Sequence, residues 1–189
     1  MDSRVYLKKI SITDIDDRVM SWFKDENLMR YYTNSKKVIT KESLISSIEN
    51  EETNNVFTYG IHYQSNNVLI GTIKIGPIHI VHKTSDLVAL IGDRNYLGKG
   101  LSVEAITLAN ELAFSKYDVR RLQGGMYKSN IPSIKAYTRA GWVIDGLHKG
   151  FYFVDNKNED RITVCCLNPK YFTDEEINLL KSEESRYIK

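Results

Sequence analysis

The chain has 189 residues, of which 42% are hydrophobic and 26% are charged, and its formal net charge is +2. These values are typical of a single globular domain that buries a proper core. A near-neutral charge without blocks of like charge argues against nucleic acid as the main partner. No apolar run approaches the roughly 20 residues of a membrane span, and no signal-peptide segment is visible. We therefore expect a cytoplasmic protein that binds neither nucleic acid nor a membrane.

Neither the two cysteines nor the histidine pair His79 and His82 predicts a metal site. Cys165 and Cys166 are adjacent, and adjacent residues of a strand point to opposite faces, so a disulfide between them would be strained. His79 and His82 stand three residues apart without further ligands nearby. We expect reduced thiols and no bound metal.

The first third of the chain predicts one strand and several helices. Ser and Thr residues precede apolar positions at helical spacing, and from Val56 the period changes to two, which indicates a β-hairpin. The predicted elements are a strand Val5–Ile10, helices at Ile12–Phe23, Asn27–Tyr32 and Thr40–Asn50, a loop at Tyr31–Ser35, strands at Val56–Tyr63 and Val68–Ile75, and a loop at Ile78–Ser85.

The second half alternates strands and helices. Asn130 and Pro132 mark a helix start, and Gly141 marks its end. The predicted elements are a strand Asp86–Ile91, a helix Leu101–Lys116, a strand Arg120–Tyr127, a helix Asn130–Gly141, two strands Trp142–Val154 and Arg161–Leu167 joined through Asp155–Asp160, and a helix Asp174–Tyr187. This order predicts an α+β domain over residues 1–172, with a mixed, mostly antiparallel central sheet flanked by helices, and a charged helical tail over 173–189.

A glycine-containing turn lies between the strand that ends at Ile91 and the helix that begins at Leu101. Gly98, Lys99 and Gly100 form its end. Glycine lets the backbone approach a ligand, and free N–H groups at a helix N-terminus attract phosphate. The turn has neither the G-x-x-x-x-G-K-[ST] pattern nor a third glycine, because Val103 stands at that place. Phosphate binding and an ordinary tight turn both fit this stretch.

The order of these motifs resembles a known family. A strand, Gly98-Lys99-Gly100, a helix with Glu104-Ala105, a strand and then Asn130-x-x-Ser133-x-x-x-Tyr137-x-x-x-Gly141-Trp142 resemble the GNAT superfamily of acetyl-CoA-dependent N-acetyltransferases. Asn95 stands where the family has Gln or Arg. The ending Gly141-Trp142-x-x-x-Gly146 is similar to the branch of ribosomal-protein N-terminal, spermidine and amino-sugar acetyltransferases. The stretch His82–Leu87 is similar to the spermidine enzymes, with Asp86 in place of their glutamate.

The resemblance implies acetyl-CoA as co-substrate and a set of residues that hold it. The pyrophosphate would bind backbone amides of the turn, and pantetheine would pair with the backbone of Leu90 to Gly92 as an added strand does. The implied cofactor residues are Leu90, Ile91, Gly92, Leu97, Gly98, Lys99, Gly100, Leu101, Ser102 and Asn130.

The chemistry of the family requires a neutral amine, donors for the oxyanion and a proton or donor for the leaving thiolate. By its position, Tyr137 would be the acid at the sulfur, although a packed core aromatic is the alternative. Asp86 would be the base or a ligand of the amine. Asn130 would cap its helix and also contact pantetheine, whereas we interpret Glu104 as structural.

The resemblance implies a primary amine as the acceptor, and we expect Tyr31, Tyr32, His79 and His82 to shape its pocket. A nucleotide-linked amino sugar is our first interpretation; a protein N-terminus and a polyamine are the alternatives. A CoA-binding protein without turnover is the alternative of a different class. The expected partner is a small-molecule amine. A monomer and a homodimer are both open.

Overall fold

A computed structural model describes residues 3–32 and 38–187, so the second part of the predicted loop at Tyr31–Ser35 lies outside the described residues. The strands are β1 Val5–Lys9, β2 Phe57–Tyr63, β3 Val68–His79, β4 Thr84–Ile91, β5 Arg121–Tyr127, β6 Val143–Val154 and β7 Lys157–Leu167. The helices are α1 Asp17–Lys24, α2 Glu26–Met29, α3 Lys41–Glu49, α4 Glu51–Asn54, α5 Leu101–Ser115, α6 Ile131–Arg139 and α7 Asp174–Glu183.

The seven strands form one sheet in the order β1-β2-β3-β4-β5-β7-β6. Every pair in it is antiparallel except β4 with β5, which run parallel. A parallel pair needs a crossover connection, and α5 supplies it. The predicted α+β class with a mixed, mostly antiparallel sheet is confirmed.

Both faces of the sheet are covered. Leu69 and Ile70 are neighbours on β3 and therefore point to opposite faces. Ile70 belongs to the larger buried cluster, which includes α5 and Tyr137 of α6, whereas Leu69 belongs to a smaller cluster with Val19 and Trp22 of α1. Helices α5 and α6 thus cover one face, and α1 covers the other near β3.

Helix α5 packs closely on the sheet because small residues recur on its buried side. Ala105, Ala109 and Ala113 are fully buried there. The buried Asn110 amide donates to the Ala140 carbonyl at 3.1 Å and accepts from the Trp142 indole N–H at 3.0 Å. These two bonds satisfy the polar group and fix the end of α6 against α5.

Several predicted boundaries are wrong, and three of them have a clear physical reason. The helix expected over Ile12–Phe23 is a 3-10 turn followed by α1, because Asp16 interrupts it and caps α1 through the Val19 N–H at 2.8 Å. Strand β3 continues through Gly76-Pro77 with a register shift, since Ile78 pairs with Ser85 of β4. The loop expected over 155–160 is a two-residue turn, because Asp155 and Asn156 both have positive φ, which suits a tight hairpin.

The C-terminal segment packs on the sheet edge. The Glu184 carboxylate accepts a hydrogen bond from the Ile144 N–H of β6 at 3.1 Å, so the segment after α7 covers part of the exposed edge strand. The domain boundary at residue 172 stays a prediction. Within the described ranges, no helix combines the length and hydrophobicity that crossing a bilayer requires.

Candidate active site

The parallel strands β4 and β5 separate and open a cleft. They pair only from Thr84–Asp86 to Arg121–Gln123, and residues 87–91 of β4 and 124–126 of β5 line a cleft of about 1020 Å³. Strand ends that diverge in this way leave backbone N–H and C=O groups without a neighbouring strand. The cleft therefore offers an extended ligand the edge of β4.

The glycine turn and the N-terminus of α5 form one end of this cleft. Gly98 and Gly100 have φ angles of +72° and +77°, a conformation that favours glycine, and Gly100 is the N-cap residue of α5. Among the described residues, none accepts a hydrogen bond from the N–H groups of residues 98–102. These free donors at the positive end of a 15-residue helix form an anion site.

The space above the turn is open. A Cβ built on Gly98 would meet nothing within 4 Å. The Glu104 carboxylate does not occupy this space, because the Arg4 backbone N–H and guanidinium both donate to it at 2.7 Å. Burial alone would raise the pKa of Glu104, but the Arg4 hydrogen bonds lower it on balance. The structural role expected of Glu104 agrees with these contacts.

The backbone of β4 presents alternate residues to the cleft. The Gly92 N–H donates to Ile70 of β3 at 2.8 Å, whereas Leu87 and Ala89 bond in the other direction, to Tyr137. Hydrogen-bonding direction alternates along a strand. The backbone N–H and C=O groups of Leu87, Ala89 and Ile91 therefore face the cleft. The N–H and C=O groups of Leu90 and Gly92 face β3, so within the stretch Leu90 to Gly92 it is Ile91 that presents its backbone to the cleft. Pairing of pantetheine with this stretch stays a prediction.

Tyr137 lies where β4 and β5 diverge. Its hydroxyl donates to the Leu87 carbonyl at 2.9 Å and accepts from the Ala89 N–H at 3.3 Å, and its ring packs edge-on against Trp142. Burial raises the pKa of the Tyr137 phenol, a bond from the Ala89 N–H opposes that shift, and the Asp86 carboxylate adds to it. Tyr137 is therefore both a buried aromatic and a protonated hydroxyl at the centre of the cleft.

Asp86 lines the cleft on the face opposite to the α5–α6 layer. The Gln123 side-chain amide donates to its Oδ1 atom at 2.9 Å. Together with Gly125 and Arg161, these residues form what we call the polar face of the cleft. Two carboxylates line the cleft among the described residues, Asp86 and Asp145. Asp145 pairs with Arg121, whereas Asp86 has no cationic partner within 4.0 Å among the described residues.

Asn130 connects the cleft to α6. Its side-chain oxygen caps the helix by accepting from the Ser133 N–H at 3.3 Å, and the residue also lines the cleft. The capping half of the prediction matches this contact, and a bond to pantetheine stays a prediction.

Aromatic side chains close the cleft beyond the polar face, and the sequence interpretation found only part of them. The Tyr127 ring lies between Tyr31, at 5.9 Å, and Tyr152, at 4.0 Å between centroids, and Phe151 packs on Tyr152. Tyr31 and Tyr32 line the cleft as expected, and burial raises the pKa of Tyr32. Tyr127, Tyr152, Phe151 and Arg161 lie on strands whose pairing brings them together.

Four predicted residues do not line the cleft. His79 and His82 stack on each other at 4.5 Å around the β3–β4 turn, next to the paired end of β4, so the structure gives no support to an acceptor role. The described residues hold no cluster of metal-ligating side chains. Lys99 offers its carbonyl to Arg4 at 2.9 Å. Gly92 lacks a side chain for a packing reason, since a Cβ there would lie 2.1 Å from Trp22.

An ion pair connects the segment before the glycine turn to helix α2. The Arg94 guanidinium donates to both Asp25 oxygens at 2.6 and 2.8 Å, and Asp25 also caps α2. The Arg94 hydrogen bond is the largest cause that lowers the pKa of Asp25, to about 2. The contact holds α2, which precedes Tyr31, against the segment that precedes Gly98.

These features match a known protein family. Residues 4–143 match the acetyltransferase (GNAT) domain, which is most of the chain. The chain belongs to the GNAT acetyltransferase family. It is an acetyl-CoA-dependent N-acetyltransferase, and acetyl-CoA is its co-substrate, as the glycine turn and the resemblance implied.

Individual relatives agree with this membership. The chain is 24% identical to the probable N-acetyltransferase YjcK of Bacillus subtilis, with 87% of this chain and 94% of that protein covered. It is 24% identical to the spermidine N(1)-acetyltransferase of Escherichia coli K12, over 55% of each protein.

Solved structures share the fold. The spermidine N-acetyltransferase of Vibrio cholerae in complex with CoA and spermine superposes with a TM-score of 0.79 at 17% identity, covering 90% of this chain and 99% of that one. A GNAT-family acetyltransferase of Bacillus anthracis gives a TM-score of 0.72 at 19% identity, over 88% and 96%. The compartment and the homodimer stay predictions.

Proposed function

We propose that the enzyme acetylates a small-molecule primary amine that enters along the polar face and attacks the thioester beside Tyr137. The observation that carries this proposal is the position of the Tyr137 hydroxyl at the divergence of β4 and β5, between the anion site at 98–102 and Asp86. In this arrangement the cofactor backbone would pair with Ala89 and Ile91, and its pyrophosphate would bind the free amides of the turn.

Asp86 is the proposed base or amine ligand. An alkyl amine has a pKa of about 10.4, so deprotonation at pH 7 costs about 4–5 kcal/mol. A carboxylate that already accepts a hydrogen bond from Gln123 can take that proton directly or through a water molecule.

Tyr137 is proposed to donate a hydrogen bond to the leaving sulfur. The pKa of its phenol lies above the ordinary value of 10.0, whereas an ordinary thiol has a pKa of about 8.5. Complete proton transfer would therefore be uphill by at least about 2 kcal/mol. These values fit a hydrogen bond from Tyr137 to the thiolate better than transfer of the proton. In forming this bond, the hydroxyl would release the Leu87 carbonyl as its acceptor.

The comparisons favour a polyamine acceptor over the amino sugar that we interpreted first from the sequence. The relatives include spermidine N(1)-acetyltransferases, and a spermidine enzyme with bound spermine has the same fold. A polyamine is accordingly the first candidate by similarity. An amine that also carries a negative charge is the second candidate, and the cationic side chains of the cleft favour it.

The test is the release of free CoA thiol from acetyl-CoA on a panel of primary amines, with mass spectrometry of the product. We expect one thiol released per acetylated amine. Saturable CoA binding without thiol release on any amine would instead identify a CoA-binding protein of the same fold.

A further inference from the structure

Arg161 lies on the polar face of the cleft without an acidic partner. Its Nε atom is buried and has no hydrogen-bond acceptor, and within the described residues no carboxylate lies within 4.0 Å of its guanidinium. Buried polar groups in native proteins are nearly always hydrogen-bonded. A guanidinium that stays unpaired in a cleft is suited to an acceptor group of a ligand.

The guanidinium is held in place by its neighbours. It lies directly against Gly125, where a Cβ would meet its Nε atom at 2.1 Å, and the Phe151 ring lies 4.8 Å from its Cζ atom on a cation–π contact. A planar cation fixed between a backbone and a ring loses little entropy when it binds an anion. Because Gly125 has no Cβ, it leaves the space that the Arg161 guanidinium occupies.

The described lining of the cleft is cationic. Among the described residues, five basic side chains line the cleft against two carboxylates: Lys74, Arg121, Lys135, Arg139 and Arg161 against Asp86 and Asp145. Asp145 is paired with Arg121. Outside the cleft lining, Glu159 accepts from the Ser129 N–H at 2.9 Å and Asp160 pairs with Lys149 at 3.0 Å.

We propose that the acceptor carries an anionic group, a carboxylate or a phosphate, which binds Arg161 while its amine lies at Asp86. This inference rests on the proposed function. Asp86 is opposite Gln123, and Arg161 contacts Gly125, two residues further along β5. Two residues of a strand span about 6.6 Å, so amine and anion are separated by several bonds. The aromatic side chains of Tyr152 and Phe151 line the cleft, and they suit a ring between the amine and the anion.

A polyamine fits this arrangement poorly. Once its reacting nitrogen lies at Asp86, its next ammonium group comes close to Arg161, and like charges in a desolvated cleft repel. Polyamine recognition needs carboxylates, and the described part of the cleft offers one that is unpaired.

The experiment compares acceptors that differ by an anionic group. The carboxylate pair is 3-aminopropan-1-ol against β-alanine, the phosphate pair is glucosamine against glucosamine 6-phosphate, and uridine-diphosphate-linked glucosamine and spermidine complete the panel. We expect the anionic member of at least one pair to have a kcat/KM at least tenfold higher than its neutral partner and than spermidine. The pair that responds distinguishes carboxylate from phosphate.

The variants test whether Arg161 causes this preference. Arg161→Ala should reduce the ratio of anionic to neutral acceptor by about 10- to 100-fold, mainly through KM of the acceptor, as expected for loss of a charge-assisted contact. KM for acetyl-CoA should not change, and Arg161→Lys should restore part of the ratio. Arg120→Ala is the matched control, because Arg120 makes a similar cation–π contact to Phe172 outside the cleft.

Binding measurements separate this inference from the proposed function. Calorimetric titration of the CoA-loaded enzyme with the anionic amines needs no turnover. Arg161-dependent binding without thiol release would overturn the proposed function and support the inference. Turnover that is highest with spermidine, or an Arg161→Ala loss that is equal for all acceptors, would overturn the inference and leave acetyl transfer intact.

Discussion

At the scale of single residues, Tyr137 combines two roles that sequence alone could not combine. Its position after Asn130 indicated a catalytic tyrosine, and its apolar surroundings indicated a core aromatic. The structure places the ring in the core and the hydroxyl at the edge of β4. The resemblance to the family motif predicted that Tyr137 reaches the cleft, but its hydrogen-bond partners depend on where β5 leaves β4.

We expect Tyr137→Phe to reduce kcat by about 10²- to 10³-fold, because the leaving sulfur loses its donor. The stability cost should be only about 1 kcal/mol for the lost hydrogen bonds. Steady-state kinetics and thermal unfolding measure the two effects.

Tyr117→Phe is the control, because its hydroxyl bonds to Tyr59 at 2.7 Å outside the cleft. It should lower stability by a similar amount and leave kcat unchanged. Unaltered turnover in Tyr137→Phe would contradict the role given to this hydroxyl.

The glycine turn allows a second matched pair of substitutions. Gly98 and Gly141 both have positive φ, +72° and +88°, and an added Cβ meets nothing within 4 Å at either position. Ala at either site should cost about 1–2 kcal/mol of stability from the backbone conformation alone. Gly98→Ala should in addition weaken CoA binding at least tenfold, since its Cβ enters the phosphate space. Equal CoA affinities in the two variants, measured by calorimetry, would show that the phosphate binds elsewhere.

At the scale of elements, the boundaries of α3 and α6, which depend on caps, were predictable, whereas the backbone direction on β4, which depends on strand pairing, was not. Asn130 and Gly141 marked α6 almost to the residue, and Thr40 marked α3, because capping is local chemistry. The selection of the β4 backbone groups that face the cleft has a different origin. Hydrogen-bonding direction on β4 is set by its register with β3, which no local pattern specifies.

The Asp25–Arg94 contact gives a pH-dependent prediction at this scale. The pKa of Asp25 is lowered from 3.8 to about 2 in the folded chain. A lowered carboxyl pKa stabilises the fold fully above the unfolded value, and this contribution is lost as pH falls through the folded value. Asp25→Asn should therefore lower the melting temperature at pH 6, and the difference from wild type should shrink between about pH 4 and pH 2.

Asp16→Asn provides the comparison, because Asp16 caps α1 as Asp25 caps α2 but stands 4.0 Å from its arginine. A melting-temperature difference for Asp25→Asn that persists unchanged down to pH 2 would show that its effect does not depend on the carboxylate charge, and therefore not on the ion pair with Arg94.

At the scale of the whole molecule, the residues of the polar face are brought together by the strand order of the sheet, which the sequence alone did not predict. The resemblance predicted the fold and the co-substrate, and both are confirmed. The polar face joins Asp86 of β4, Gly125 of β5 and Arg161 of β7, which are far apart in the chain. An arginine on a strand whose other face carries the buried Ile162 and Val164 was a usable signal, but only the strand order β4-β5-β7 places it in the cleft.

The most direct test of the account is a crystal structure of the enzyme with bound acetyl-CoA. We predict the sulfur within about 3.5 Å of the Tyr137 hydroxyl, pantetheine paired with Ala89 and Ile91, and the pyrophosphate on the amides of residues 98–102. A cofactor whose sulfur lies away from Tyr137, or whose pyrophosphate avoids this turn, would contradict the account.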